Sequence, residues 1–394
     1  MPFHSTPRPR WSDRVPTSIT ATARPSANWL LIAAVLVWFH AVPVLAQETR
    51  LITDALGREV AIADQVERVI CSGSGCLRLL VYLQAQERVV GVDSAEKGGL
   101  PFAGDARPYA LAHPRLKELP LFGEFRGHDS PERIVALNPQ PQVILKVFAA
   151  RDGGSEALEA KTGIPVVGLG YGNLTHGRNE LDQTLHLMGQ VLKLEQRAAA
   201  VIAYFDALQA DLENRTSSIP LGKRPTVYIG GVAMRGGHGF ASTEPAYAPF
   251  AFVNAQNAAG ELDKGKPGTP HATVSKEQLL FWDPAVIFLD ISTARLQGRA
   301  NGLEQLRTDP AFKALNAVRQ GEVYGVFPYN FYAQNFESTL ANAYFIGKVL
   351  YPERFADIDP LATAEEISRF LNGAPAFERI NQGFGQLGFI RIGL

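Results

Sequence analysis

The sequence predicts an α/β fold of two similar lobes with mainly parallel sheets, joined by one long α-helix, with a ligand cleft between the lobes. Three observations predict it. Short apolar runs alternate with helical stretches, a long helical repeat occupies mid-chain, and one motif occurs once in each half.

The elements follow in order. Residues 66–71, 88–92, 142–147 and 164–169 are short runs rich in Val, Ile and Leu, as expected of strands buried on both faces. Helices are expected at 77–83 and at 131–137, the second opening on Pro131, where a missing N–H costs nothing. Strands alternating with helices imply βαβ units and a parallel sheet. Between 178 and 215, Leu181, Leu185, Met188, Leu192, Ala199, Ile202, Phe205, Leu208 and Leu212 recur at helical spacing. Gly189 and Lys193-Leu194 are the places where that stretch is expected to break. Residues 195–215 then form one helix of about 30 Å. The strand pattern resumes at 226–230, 285–290 and 321–326, and helices at 338–350 and 364–371 close the chain.

The repeated motif is Glu132-Arg-Ile-Val-Ala-Leu-Asn-Pro139 in the first half and Glu277-Gln-Leu-Leu-Phe-Trp-Asp-Pro284 in the second. Each reads as a short helix starting near the Glu and stopping before Pro, because the residue preceding proline resists helical geometry. An apolar run follows both. Equal spacing of Glu and Pro points to an internal duplication.

The N-terminus carries Arg8, Arg10, Arg14 and Arg24, then the apolar run 29–39, then Val44-Leu45-Ala46. This is the layout of a cleaved signal peptide, with cleavage expected after Ala46. The run is shorter than the roughly 20 residues that a spanning helix needs. The expected organisation is signal peptide 1–46, N-terminal α/β lobe 47–177, linking helical segment 178–216, and C-terminal lobe with closing helices 217–394. A periplasmic location follows. The whole chain has a formal charge of −1 and the leader carries four Arg against Asp13, so the remainder is −4. A mildly acidic chain argues against a nucleic-acid partner.

Five segments in this order carry a family resemblance: 66–93 ("VERVICSGSGCLRLLVYLQAQERVVGVD"), 130–145 ("SPERIVALNPQPQVIL"), 162–169 ("TGIPVVGL"), 272–290 ("ATVSKEQLLFWDPAVIFLD") and 306–326 ("LRTDPAFKALNAVRQGEVYGV"). Together they resemble the ABC-transporter substrate-binding proteins for iron–siderophore, haem and cobalamin, bilobal receptors with a single helix between lobes. The stretch 328–352 is similar to the iron-complex and metal-receptor branch. The resemblance implies a monomeric periplasmic receptor, not an enzyme, that binds an iron complex such as a siderophore and delivers it to an ABC permease. Haem or cobalamin is the alternative ligand, and an exported chelatase-like enzyme is the alternative from another class. No resident cofactor is implied. Glu132 and Glu277 match the acidic residues with which the family docks on arginines of the permease. Each also fits as a helix N-terminal acid stabilised by the dipole.

In such a fold the ligand sits beyond the carboxyl ends of the strands. That rule selects Ser72 and Ser74, Arg126, Tyr171, Arg235 and His238, and Tyr329 and Tyr332, all on expected strand-end loops. Arginine forks bind carboxylates or catecholates. Tyrosine offers a flat apolar face with a hydroxyl. His and Tyr are also iron ligands, but no metal ligand is assigned among them. No zinc-protease, nucleophile-elbow or phosphate-loop motif occurs.

Cys71 and Cys76 are the two cysteines of the chain, flanking Ser72-Gly-Ser-Gly75. The C-x4-C spacing fits neither a C-x-x-C redox pair nor a zinc site lacking a second Cys/His pair. Two cysteines in an oxidising compartment predict a disulfide. A free thiol ligating the bound metal complex is the other reading.

Overall fold

In the computed structural model the expected strands form where the apolar runs stand. The structure describes residues 48–98, 104–149, 154–264, 268, 269 and 271–394. These lie in one compact unit, Gln47–Leu394. The expected signal peptide and its cleavage point lie outside the described residues.

An antiparallel ribbon, β1 (Thr49–Thr53) and β2 (Glu59–Ala63), opens the structure. The first lobe then builds β3 (Val69–Ser72), α1 (Cys76–Tyr82), β4 (Val89–Asp93), β5 (Leu121–Glu124), β6 (His128–Asp129), α2 (Pro131–Val135), β7 (Val143–Val147), α3 (Ser155–Thr162) and β8 (Val166–Leu169). Its sheet has the order β6-β5-β4-β3-β7-β8, parallel except for the β5–β6 pair. Every residue of β3, β7 and β8 is buried, which is why these strands read as unbroken apolar runs.

Two helices follow, α4 (Arg178–Leu192) and α5 (Glu195–Thr216). The break falls at Lys193, which adopts a left-handed conformation as the C-cap of α4. Gly189 does not break the helix. A Cβ there would stand 2.9 Å from the Ala198 Cβ, so the glycine lets α4 and α5 approach closely. The 22 residues of α5 span about 33 Å and lead into the second lobe.

The second lobe contains β9 (Thr226–Gly230), β10 (Gln256–Asn257), α6 (Lys276–Trp282), β11 (Val286–Asp290) and β12 (Val323–Val326). Its sheet, β10-β9-β11-β12, is wholly parallel. The closing helices α7 (Phe336–Leu350) and α8 (Pro360–Asn372) return toward the first lobe. Gln84, just past α1, donates to the carbonyl of Leu371 in α8 at 3.2 Å. The largest apolar cluster joins residues of both lobes, from Val69 and Leu80 through Phe205 to Phe336 and Leu371.

Candidate ligand site between the lobes

The loops after β7, β8, β9 and β12 converge on a cavity of about 370 Å³. Phe148, Tyr171 and Asn173 line it from the first lobe, and Glu244, Tyr329 and Asn330 from the second. Tyr171 and Tyr329 are therefore brought together at this cavity. Tyr171 is buried, its ring packed against Phe148 at 5.3 Å and Phe336 at 5.6 Å. Its hydroxyl accepts from Arg78 and donates to the Gln334 carbonyl at 2.9 Å. The Tyr329 ring stands edge-on to Tyr247 at 5.5 Å.

A strap formed by residues 327–335 follows β12 and crosses to the first lobe. It turns tightly through Tyr332 and Ala333, both at positive φ. Arg78, fully buried on α1, holds the strap. Its guanidinium donates to the carbonyls of Phe331 (3.2 Å) and Tyr332 (3.1 Å) and to Asn335 Oδ1 (3.1 Å). Nearby acidic and phenolic groups outweigh burial and keep this guanidinium charged. Tyr332 does not face the cavity as expected. Its hydroxyl donates to Asp93 Oδ2 and accepts from the Arg126 backbone N–H at 3.1 Å. Asp93 ends β4, and burial pushes its carboxyl up to about 7 against the lowering effect of the Tyr332 hydroxyl.

Other expected residues fall elsewhere. Ser72 is fully buried, donating to Asp129 Oδ2 at 2.9 Å and accepting from Lys146 Nζ at 3.2 Å. Ser74 is half-buried in the turn before α1 and does not line the cavity. Arg126 is exposed and borders a separate groove with His128, Lys146 and Lys161. Arg235 and His238 sit on the exposed loop after β9 and do not line the cavity. His238 Nε2 lies 2.7 Å from the Met234 carbonyl oxygen, and its ring stands 5.2 Å from that of His271.

The expected disulfide is not formed. Cys71 and Cys76 are two free, buried thiols. Cys76 opens α1 and its thiol donates to the Leu145 carbonyl on β7 at 3.4 Å, turned toward the sheet. Burial, then the Cys76 neighbour, pushes the Cys71 thiol well up, which disfavours the thiolate that would ligate a bound metal complex.

Glu132 and Glu277 occupy equivalent places. Ser130 caps α2 by accepting from the Arg133 N–H, and Ser275 caps α6 by accepting from the Gln278 N–H. Both glutamates are exposed in the first turn. Each carboxyl is held below its ordinary value by a backbone N–H and by the capping serine.

Sequence reading missed Arg78 and Glu244, although a signal existed. Arg78 is the one charge in the apolar stretch 76–83, and Glu244 the one charge in 240–253. An isolated charge in an apolar run marks a buried group that needs a partner.

Two lobes around a cavity walled by strand-end loops define a bilobal ligand-binding protein. A family model described as periplasmic binding protein matches residues 69–328. The chain belongs to that family, whose members work with ABC-transporter permeases. The molybdate-binding protein MolA of Haemophilus influenzae is 25% identical over 352 residues, covering 84% of this chain and 92% of MolA. The solved structure of molybdate-bound MolA superposes with a TM-score of 0.63 at 21% identity, covering 83% of this chain and 98% of that one. A periplasmic solute-binding protein from Veillonella parvula gives a TM-score of 0.64 at 17% identity, covering 86% and 97%. Among the described residues, no helix is long and apolar enough to cross a membrane.

Proposed function

We propose that this protein is a periplasmic receptor that captures a compact metal-containing ligand in the interlobe cavity and hands it to an ABC permease, without turnover. The observation that carries this reading is the cavity itself, enclosed by Tyr171 from one lobe and by Tyr329 and Glu244 from the other. Its volume lies at the small end of the roughly 300–1,000 Å³ range of ligand pockets. That favours a small chelate or metal oxyanion over a haem or corrin. Among the described residues, no three His, Cys, Asp or Glu side chains gather to hold a bare metal ion. The ligand is therefore read as a complete complex, an iron chelate as the sequence suggests or an oxyanion of the kind that MolA binds.

Permease docking through Glu132 and Glu277 belongs to the same reading. Val135 follows Glu132 at 46% exposure and Phe281 follows Glu277 at 83%, so each acid stands beside a large apolar side chain left in solvent. Such exposed apolar groups rimmed by polar ones mark interaction surfaces. The experiment is purification from the native periplasm, followed by elemental analysis and a UV–visible spectrum. One metal per chain without a Soret or corrin band supports the reading. A metal-free protein, or a macrocycle spectrum, contradicts it.

A further inference from the structure

Among the described residues that line the cavity, Glu244 is the one carboxyl and there is no Lys or Arg. It is 4% exposed, and its Oε2 has no hydrogen-bond partner. A buried carboxyl oxygen without a partner is costly, and such a group calls for an explanation. The titratable groups around it are Asp290 at the end of β11, Tyr247, and the cavity's own Tyr171, Tyr329 and His176. None of the acids among them favours ionisation of Glu244. Burial and the nearby Asp290 push its carboxyl well above the usual range. Burial also raises Asp290, to about 6.

The rest of the described wall combines apolar side chains, His176, neutral polar groups and the approaches to two helices. Of the neutral polar groups, Asn330 Nδ2 donates to the Ala233 carbonyl at 3.0 Å and Thr175 Oγ1 to Asn173 Oδ1 at 2.9 Å, which leaves Glu244 as the polar side chain with an unpartnered oxygen there. The residues leading into α4 and α7 border it from the two lobes, and neither helix has a side-chain cap at its N-cap residue. The positive ends of two fifteen-residue helices there favour a negative ligand, offset in part by the first-turn acids Glu180 and Glu337. We propose that Glu244 keeps its proton in the folded protein and donates it as a hydrogen bond to an anionic oxygen of the ligand. The cavity thus takes an oxyanion, or a complex presenting one, through the Glu244 hydroxyl beside the two helix starts. This rests on the reading of the cavity as the ligand site.

The test uses sodium molybdate as the probe, titrated by calorimetry across about pH 6 to 9. Wild-type affinity is expected to fall by up to about tenfold per pH unit once Glu244 ionises. Glu244→Gln retains an N–H donor and is expected to bind with a flat pH profile. His176→Gln, which removes the histidine that lines the cavity, is expected to keep the wild-type profile. Asp290→Asn removes a charge that helps hold the Glu244 proton, so the fall is expected to begin at lower pH if the Glu244 carboxyl is the titrating group. A measurement independent of variant folding repeats the wild-type titration in two buffers of different ionisation enthalpy. At the alkaline end, binding is expected to take up a proton. Affinity that is constant or rises with pH, an unaltered profile in Glu244→Gln, or no molybdate binding at any pH overturns the inference. In those cases a metal found in natively purified protein leaves the receptor reading standing, whereas a metal-free native protein sinks that reading itself.

Discussion

Asp93 shows how one buried side chain ties stability to pH. Its ordinary value is 3.8, and burial raises it to about 7 in the folded protein. The folded state therefore holds a proton that the unfolded chain has released. Its contribution is full below about pH 4 and is lost as pH rises through about 7, by a few kcal/mol at most. Urea unfolding across that window is expected to show this decline, and Asp93→Asn is expected to flatten it. A slope unchanged in the variant contradicts the assignment. Arg78 makes a larger demand. It serves four strap and Tyr171 acceptors with no exposure, beside the buried Glu337. Arg78→Met is expected to cost about 3–5 kcal/mol in denaturant unfolding, because the buried acceptors and Glu337 lose their cation. The thiols give a third test. The native protein is expected to resist iodoacetamide and the unfolded protein to take up two equivalents by mass spectrometry, whereas a disulfide takes up none without reductant.

At the scale of elements, much was legible and the reason is local. Strands β3, β7 and β8 are buried on both faces, so their sequences carry the signal unaided. The capped helices α2 and α6 repeat Ser-x-Glu at their starts, so their equivalence was visible as spacing. The strap was not legible in the same way. Tyr332 sits on the expected loop, but its positive φ and its bond to Asp93 depend on a chain segment far away in sequence. Long-range partners also decide why Ser72 serves Lys146 and Asp129 rather than a ligand. The two docking helices carry their own prediction. Reversing both Glu132 and Glu277 to Lys is expected to abolish uptake in cells while leaving ligand affinity within about twofold, since both residues are exposed and not part of the cavity lining. Retained uptake contradicts the docking role.

At the scale of the whole molecule, the lobes are fastened on more than one line. The strap bonds to Arg78 and Asp93, and Tyr82 on α1 donates to Glu337 on α7. The closing helices pack on the first lobe, and α5 runs as one piece between the sheets. Such a frame places the cavity walls in advance of the ligand, which lowers the ordering cost of binding. The central claim is that the metal-containing ligand resides between Tyr171, Tyr329 and Glu244. Anomalous diffraction from crystals of natively purified protein tests it most directly. The account predicts a metal peak inside that cavity. A peak in the separate groove beside His128 and Lys146, or none at all, would contradict it.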